Sequence, residues 1–212
     1  MSGPAGRAGA DLVSALRLVV ILDGGAARGR DLAALALAAA KGGATMLQLR
    51  DKSATPAQLA ETARRIMAST AVPLIINDRL DVALASGAAG CHLGQDDVPL
   101  DDARKMVPAG FILGGSAGTE DEARRATSAG AHYLGVGPVR VSPSKLDAGD
   151  AIGVAGFLRV RGATPLPCVA IGGIQAGDAA PLREAGAAGI AVIGAALDTD
   201  DVEAAVRLLA QA

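Results

Sequence analysis

The sequence predicts an α/β fold: a (β/α)₈ TIM barrel forming a single domain. Apolar runs typical of buried strands alternate with Ala- and Leu-rich segments typical of helices, and this alternation continues along the whole chain. The composition agrees, because 50% of the 212 residues are hydrophobic although there are only two Phe, one Tyr and no Trp. Small aliphatic side chains fill many closely packed elements, as a layered α/β architecture requires.

Eight apolar runs predict eight strands, and each run ends in Gly or in polar residues. The predicted strands are Leu16–Leu22, Thr45–Leu49, Val72–Ile76, Gly90–Leu93, Phe111–Leu113, Tyr133–Val136, Cys168–Ile171 and Ile190–Ile193. Eight strand-then-helix units fit a closed barrel, and 212 residues lies near the short end of the size range of this fold.

Helices are predicted between the strands from their capping residues. Asp31 is a candidate N-cap for a helix over Leu32–Lys41. Thr55 or Ser53 would cap a second helix, which begins with Pro56. The remaining helices are predicted over Leu80–Ser86, Pro99–Met106, Ile152–Val160, Asp178–Glu184 and Asp200–Leu209, with one more opening at Thr119.

No shift in composition divides the chain, so residues 13–212 are expected to form one catalytic barrel domain. Residues 1–12 are rich in Gly and Ala, and we expect them to form a disordered tail. A doubly wound open sheet is the alternative fold. It would favour a Gly-x-Gly-x-x-Gly motif after the first strand, and Gly24-Gly25 lacks that spacing.

Charge and cysteine content limit the classes of function. The net charge of −2 argues against nucleic acid as a partner, because nucleic-acid-binding domains carry a basic face. Cys91 and Cys168 each lie in an apolar run, which favours buried thiols over a disulfide or metal site. No apolar run reaches the ~18–20 residues that span a bilayer. We expect a cytoplasmic protein that acts on small molecules, and the pattern leaves open whether it is a homo-oligomer.

Two carboxylates mark the centre of the predicted site. Asn77 and Asp78 follow the third predicted strand, and Asp97 follows the fourth. Parallel strands joined by a helix emerge at the same edge of the sheet, so Asp78 and Asp97 are expected to converge there. Paired carboxylates suit a hard cation such as Mg²⁺. Asp96 or Asp51 could replace Asp97, because adjacent carboxylates cannot be ranked by sequence.

Other ligand-type residues follow the strands and would form a ring on the catalytic face of a barrel. Arg50, Lys52 and Lys145 would supply positive charge around the two aspartates and the metal. A divalent cation with Arg and Lys side chains suits a pyrophosphate. The predicted ring comprises Gln48, Arg50, Lys52, Asn77, Asp78, Gln95, Asp97, Ser116, Ser142, Ser144, Lys145, Gly173, Ile193 and Gly194.

Glycines after the last two strands predict a second phosphate site. Gly172-Gly173 and Gly194 leave backbone N–H groups uncovered, at the loops where barrels of this type recurrently bind phosphate. The two signals together indicate two phosphorylated substrates that face each other. The two histidines, His92 and His132, are expected to have packing roles, and no Ser-His-Asp or Cys-His arrangement indicates acyl transfer.

Over residues 16–210 the chain resembles the thiamine phosphate synthase (thiamine-phosphate pyrophosphorylase) family. The resemblance depends on the order and spacing of several short motifs together. These are Gln48-Leu-Arg-Asp-Lys52, Asn77-Asp78-Arg79, His92-Leu-Gly-Gln-Asp-Asp97, Gly114-Gly-Ser116, Gly135-Val-Gly-Pro138, Ala170-Ile-Gly-Gly-Ile174 and Val192-Ile193. The resemblance implies a barrel that joins 4-amino-2-methyl-5-hydroxymethylpyrimidine diphosphate to a thiazole phosphate, with or without a carboxylate, and releases pyrophosphate.

The resemblance also implies roles for individual residues. Gln48 would contact the pyrimidine, Ser116 would lie near the pyrimidine and the diphosphate, and Asp78 and Asp97 would bind Mg²⁺. The diphosphate would be bound by Arg50, Lys52, Asn77 and Lys145. The thiazole phosphate would be held by Ser142, Pro143, Ser144, Gly173, Ile193 and Gly194. Arg50, Lys52, Ser116 and Lys145 would be the catalytic residues.

The implied mechanism is a dissociative substitution, in which departing pyrophosphate leaves a pyrimidine cation that the thiazole nitrogen captures. A loop over residues 140–150 would act as a lid that excludes water. That loop departs from the family pattern Phe-Pro-Thr-x-Thr-Lys, because residues 140–145 read Arg-Val-Ser-Pro-Ser-Lys. Gly118 and Gly194 replace a histidine and a serine that are common in the family.

Two alternative functions remain. One is a thiazole tautomerase-like paralogue, expected to use a rim histidine, and the other is a non-catalytic phosphometabolite-binding barrel.

Overall fold

The strands of this protein close into a barrel. A computed structural model describes residues 12–141 and 150–212. Each strand pairs in parallel with the next, and the last pairs with the first. The strands are β1 (Leu18–Asp23), β2 (Met46–Arg50), β3 (Leu74–Asn77), β4 (Gly90–Leu93), β5 (Ile112–Ala117), β6 (Tyr133–Val136), β7 (Cys168–Ile171) and β8 (Gly189–Val192). The predicted (β/α)₈ barrel is confirmed. The alternative of an open sheet is wrong, because the ladder returns to its first strand.

Helices surround the barrel and connect its strands. They are α1 (Gly24–Ala27), α2 (Leu32–Gly42), α3 (Pro56–Ser69), α4 (Leu80–Ser86), α5 (Leu100–Met106), α6 (Glu120–Ser128), α7 (Gly153–Gly162), α8 (Ala179–Glu184), α9 (Gly194–Leu197) and α10 (Val202–Gln211), with a 3₁₀ turn over Ala176–Asp178. The short helices α1 and α9 were not predicted. In the part of the chain that the structure describes, no helix has both the length and the apolar character needed to cross a membrane.

The predicted N-cap residues begin their helices as expected. Asp31 accepts a hydrogen bond from the Ala33 N–H at the start of α2. Thr55 and Gln58 form a reciprocal capping box at the start of α3, where Pro56 occupies the first turn. These caps satisfy N–H groups that would otherwise lack partners, and they fix where each helix leaves the carboxyl end of a strand.

Strand β5 is longer than the sequence predicted. Gly114-Gly115 was interpreted as the end of the strand, whereas β5 continues to Ala117. Gly114 stays in the ladder, where it is in register with Tyr133, and Ser116 is in register with Gly135. A Cβ atom at Gly114 would lie 2.4 Å from the Tyr133 ring, so glycine here makes room for a neighbouring side chain. Ser116 therefore belongs to the strand itself rather than to a loop.

Successive side chains of a strand point to opposite faces, so the barrel has one hydrophobic core between strands and helices and a second core in its interior. In β2, Leu47 and Leu49 belong to the core between strands and helices, and Met46 belongs to the core inside the barrel. Gln48 and Arg50 follow Met46 at intervals of two and line the barrel's interior cavity. Polar side chains therefore occupy the carboxyl end of the interior, above an apolar floor.

A helical turn at residues 12–15 covers the amino end of the barrel. Leu12 and Ala15 pack against the interior core beside Leu16 and Val19. The Thr45 hydroxyl donates to the Ala15 carbonyl at 2.8 Å, which ties this turn to the start of β2. The amino end is thus filled with apolar side chains, and the polar cavity lies at the opposite end.

A substitution at Phe157 in α7 measures how much the core between strands and helices contributes to stability. Its side chain is fully buried, whereas the adjacent Leu158 is 54% exposed. We expect Phe157→Ala to lower the free energy of unfolding by about 3–5 kcal/mol through lost burial and a residual cavity. The matched change Leu158→Ala should alter it by no more than about 0.5 kcal/mol. Urea unfolding measures both, and equal losses in the two variants would contradict the packing described here.

Candidate active site

A cavity of about 1040 Å³ opens at the carboxyl ends of the strands. This volume is at the upper end of the range for small-molecule sites, so two small ligands fit side by side. Its lining includes the predicted residues Arg50, Lys52, Asn77, Asp78, Gln95, Asp97, Ser116, Gly173, Ile193 and Gly194. Gln48 lines a deeper extension of about 60 Å³ inside the barrel. The described part of the predicted ring is therefore brought together around one space.

Arg50 is fixed in this cavity by a carboxylate that the sequence analysis missed. Asp23 ends β1 in direct register with Arg50, and the Arg50 Nη1 forms an ion pair with the Asp23 Oδ2. The side chains are only 13% and 9% exposed. Asp23 Oδ1 also accepts from the Ala26 N–H at 2.9 Å, which begins α1. A guanidinium carries five N–H donors, so this pairing leaves donors for an anion in the cavity.

Asp78 and Asp97 lie on the same side of the cavity, after β3 and β4. Burial raises the pKa of the Cys91 thiol, and the negative charges of Asp78 and Asp97 raise it further. Both carboxylates therefore lie within electrostatic range of one sulfur atom on β4. Asp97 is held in place because its Oδ2 accepts from the Gly94 N–H at 2.6 Å.

The backbone of Asp78 is in the left-handed region, with φ of 62°. Its N–H donates to the His92 carbonyl at 2.8 Å, which extends the β3–β4 ladder by one residue. A non-glycine residue in this region costs of order 1 kcal/mol, and such residues concentrate at functional sites. The strained turn directs the chain away from the barrel immediately after β3.

Asp51 and Asp96, the two alternatives to Asp97 as a metal ligand, differ in their position relative to the cavity. Asp51 Oδ1 accepts from the Ser53 N–H at 2.9 Å, from the Ser53 hydroxyl at 2.7 Å and from the Ala54 N–H at 3.2 Å. Asp51 thus stabilises its own loop and is not part of the cavity lining. Asp96 does line the cavity, next to Asp97. The geometry therefore keeps Asp96 as an alternative to Asp97 and disfavours Asp51.

The glycines after β7 and β8 form the opposite wall. Gly172 and Gly173 have φ of 97° and 63°, which glycine adopts without strain. A Cβ atom on Gly173 would lie 2.7 Å from the Val141 carbonyl oxygen, so only glycine fits. At Gly194, a Cβ atom would lie 2.5 Å from Asp198 Oδ2. Neither site carries a side chain that would cover the backbone N–H groups.

The two histidines have different environments. His132 Nδ1 accepts from the Leu113 N–H at 3.0 Å, and burial together with the charge of Arg104 lowers the pKa of His132. This agrees with the expected packing role. His92 is buried and packs against the Tyr133 ring, with the ring centroids 5.5 Å apart, and it also lines the cavity and has Nε2 3.1 Å from the Ser116 hydroxyl oxygen. Packing alone therefore does not describe His92.

Part of the predicted site lies outside the described residues. Four predicted site residues are affected, Ser142, Pro143, Ser144 and Lys145, together with most of the predicted lid. The start of that loop is described. Its Val139 N–H donates to the Ile171 carbonyl at 2.8 Å and its Arg140 N–H donates to the Gly172 carbonyl at 2.9 Å. Residues 139–140 thus continue beside the end of β7.

An ion pair joins the start of this loop to the loop after β7. Arg140 Nε donates to both carboxylate oxygens of Asp178 at 3.0 Å, and the Asp178 side chain is only 11% exposed. Asp178 Oδ2 also accepts from the Gln175 N–H at 2.9 Å. Burial opposes ionisation of Asp178, but these hydrogen bonds outweigh it and lower the pKa of the carboxyl.

The missed residues share a signal that was available in the sequence. Side chains alternate between the two faces of a strand, so the apolar residues on one face indicate where the polar residues on the other face point. In β1, Asp23 continues the interior series of Val19 and Ile21. In β4, Cys91 and Leu93 belong to the core between strands and helices, so His92 between them faces the interior. Sequence reasoning examined the residues that follow the strands and gave less weight to polar residues within them.

A closed parallel barrel with a polar cavity at the carboxyl ends of its strands defines a (β/α)₈-barrel enzyme that acts on small molecules. A family model described as thiamine monophosphate synthase matches residues 18–196. The chain belongs to this family, whose members are transferases of thiamine biosynthesis.

Sequence and structure comparisons agree with this assignment. The chain is 46% identical over 196 residues to thiamine-phosphate synthase of Chloroflexus aurantiacus, covering 91% of this chain and 90% of the relative. It is 45% identical over 195 residues to that of Methanoculleus marisnigri, covering 91% and 92%. Thiamine phosphate pyrophosphorylase from Pyrococcus furiosus superposes with a TM-score of 0.85 at 33% identity, covering 94% of this chain and 96% of that one.

The Arg140–Asp178 pair predicts a pH-dependent loss of stability. The folded-state pKa of Asp178 lies below the ordinary value of 3.8, so the pair stabilises the fold above that pH and loses its effect as the pH falls through the folded pKa. We expect Arg140→Gln to lower the urea midpoint at pH 7, and the difference from the parent chain to shrink below pH 3.8. Arg159→Gln, at a 65% exposed side chain with a long 4.0 Å ion pair, is the control. A difference for Arg140→Gln that is independent of pH would contradict this account.

Proposed function

We propose that this barrel joins 4-amino-2-methyl-5-hydroxymethylpyrimidine diphosphate to a thiazole phosphate, with or without a ring carboxylate, to form thiamine phosphate and pyrophosphate. The observation that carries the proposal is the division of one cavity into two walls. Basic and carboxylate side chains lie on the β2–β5 wall, and the Gly173 and Gly194 amides lie on the β7–β8 wall. The relatives named thiamine-phosphate synthase support the same product.

We propose Mg²⁺ as the cofactor, because the donor set suits it. Asp78 and Asp97 offer hard carboxylate oxygens at the cavity wall. Among residues 12–141 and 150–212, no group of three or more His, Cys, Asp and Glu side chains could hold a metal ion. Mg²⁺ is usually bound by one or two carboxylates and completed by substrate phosphates and water, so a two-aspartate site fits.

The proposed reaction is a dissociative substitution at the exocyclic methylene of the pyrimidine. The bond from this carbon to the diphosphate oxygen breaks, and the electron pair leaves with pyrophosphate. The thiazole nitrogen then donates its lone pair to the carbon. Asp78 and Asp97 would hold Mg²⁺, which would neutralise negative charge on the leaving group. Because the nitrogen attacks with a free electron pair, the step needs no general base.

The basic residues stabilise the charge that develops on pyrophosphate. Arg50, Lys52 and Asn77 would donate hydrogen bonds to its oxygens, together with Lys145 outside the described residues. The ion pair with Asp23 fixes the Arg50 guanidinium before substrate binds, so little reorganisation accompanies the reaction. Ser116 would donate to the diphosphate from inside the barrel. These roles reduce the barrier by charge stabilisation and positioning.

The opposite wall would hold the second substrate. The Gly173, Ile193 and Gly194 N–H groups would donate to the thiazole phosphate, with Ser142, Pro143 and Ser144 contributing from outside the described residues. A phosphate on this wall would direct the thiazole nitrogen towards the pyrimidine on the other. The 140–150 loop would exclude water, which would otherwise capture the cation.

The proposal places the reaction in the cytoplasm. Both cysteines are buried and free, which suits a reducing compartment. Thiazole isomerisation, the second candidate, would need a histidine at position 118. That position is glycine, and its N–H donates to Glu122 Oε2 at 2.6 Å.

The deciding experiment is an assay of the purified full chain with both phosphorylated substrates and Mg²⁺. We expect thiamine phosphate and pyrophosphate to appear in equal amounts, and chelation of the metal to stop their formation. Binding of both substrates without turnover would support the alternative of a non-catalytic phosphometabolite-binding barrel. Isomerisation of the thiazole alone would support the tautomerase alternative.

Asp97 provides a test of the metal site. Asp97→Ala should lower kcat by at least about 100-fold, as the loss of one electrostatic stabiliser does in other active sites, and leave the circular dichroism spectrum unchanged. Asp97→Asn retains an oxygen that can accept from the Gly94 N–H, so it separates loss of the negative charge from loss of that contact. Asp96→Asn is the matched control. A larger loss in Asp96→Asn than in Asp97→Asn would assign the metal to the neighbouring carboxylate.

A further inference from the structure

A chain of polar side chains crosses the floor of the cavity inside the barrel. Tyr133 Oη lies 2.9 Å from His92 Nδ1, and His92 Nε2 lies 3.1 Å from Ser116 Oγ. The Gln48 side chain forms a further hydrogen bond with the Tyr133 hydroxyl. The chain thus connects β2, β6, β4 and β5, and both of its ends, Gln48 and Ser116, line the barrel's interior cavity.

Two glycines provide the space that this chain occupies. A Cβ atom at Gly114 would lie 2.4 Å from the Tyr133 ring and 2.5 Å from His92 Nδ1. A Cβ atom at Gly135 would lie 3.0 Å from His92 Cε1. The rings of Tyr133 and His92 therefore fill positions on β5 and β6 where other residues would place side chains. Their contact is built into the strand registers and does not depend on a loop.

The hydrogen bonds can run in either of two directions. In one, Gln48 donates to Tyr133, Tyr133 donates to His92 Nδ1, and the His92 Nε2–H donates to Ser116. In the other, every donor and acceptor is exchanged. The proton on the His92 ring distinguishes the two, because a neutral imidazole carries it on only one nitrogen.

The ligand favours the first direction. Burial raises the pKa of the Tyr133 phenol, so its hydroxyl keeps a proton that it can donate to His92. Ser116 lies on the wall with Arg50 and Lys52, where an anionic ligand needs hydrogen-bond donors.

We infer that Tyr133 and His92 are positioning residues: they hold Ser116 so that its hydroxyl hydrogen points into the cavity, and Gln48 so that its carbonyl oxygen is free to accept from the ligand. This inference rests on the proposed function for its ligand, an aminopyrimidine that carries a diphosphate. The exocyclic amine would donate to Gln48, and the diphosphate would accept from Ser116. Reversal of the chain would present an acceptor to the anion and a donor to the amine.

The proton on His92 can be observed directly in the free protein. The chain has two histidines, so long-range ¹⁵N–¹H correlation spectra of the labelled full chain show two imidazoles, and His132→Gln assigns them. At neutral pH we expect His92 to be protonated at Nε2 and unprotonated at Nδ1. A proton on Nδ1, or on both nitrogens, would overturn the inference whether or not the protein is a synthase.

Tyr133→Phe tests the catalytic consequence. It removes the donor to His92 with little change in volume, so kcat/KM for the pyrimidine diphosphate should fall about tenfold, the effect of one hydrogen bond. The KM for the thiazole phosphate, bound on the opposite wall, should not change. Equal losses of kcat/KM for both substrates, with the His92 proton on the same nitrogen as in the parent chain, would indicate a general loss of structure. That result would overturn the positioning role.

A double-mutant cycle with Ser116→Ala completes the test. If Tyr133 acts through Ser116, Tyr133→Phe should have most of its effect in the parent chain and little in Ser116→Ala. Additive losses would show that the two residues act separately and would contradict the chain of positioning. Absence of turnover in the parent chain would refute the proposed function. The position of the His92 proton would then decide the direction of the hydrogen bonds by itself.

Discussion

The hydrogen bonds between β8 and β1 are the constraint on which the rest of the structure depends. Leu18 is in register with Ile190 and Val20 with Val192, so the eighth strand returns to the first. Closure turns a row of strand ends into a ring, and residues far apart in the sequence then face one space. Without closure, Asp23 on β1 and Gly194 after β8 would lie at opposite edges of a sheet, and the two walls of the cavity would not face each other.

The sequence allowed most of the fold to be predicted, because buried parallel strands are short apolar runs and helix caps have definite residue types. The errors have local physical causes. Gly114-Gly115 looks like a turn, and the reason it remains in β5 is the space taken by the Tyr133 and His92 rings, which lies on other strands. Helices α1 and α9 have only four residues each, too few for a periodic pattern.

The candidate site was predictable where one residue type implies one chemistry, and unpredictable where the chemistry arises from pairing. Asp78 and Asp97 follow strands and were predicted by position, and both line the cavity. Asp23 matters through its register with Arg50, and His92 through its contacts with Tyr133 and Ser116. Such contacts depend on strand register around a closed barrel, and a linear sequence contains that information only indirectly. The cavity is consequently more preorganised than the strand-end residues alone suggest.

The Arg140–Asp178 pair has a consequence for protein engineering. Backbone hydrogen bonds join residues 139–140 to the end of β7, and Gly173 fits beneath the Val141 carbonyl, so residues 139–141 and the loop after β7 form one interlocked unit. A loop transplanted here from a relative with an apolar residue at position 140 would leave the buried Asp178 carboxylate without its cation. Homologous recombination between such barrels would therefore succeed more often with crossovers outside residues 139–178 than within them.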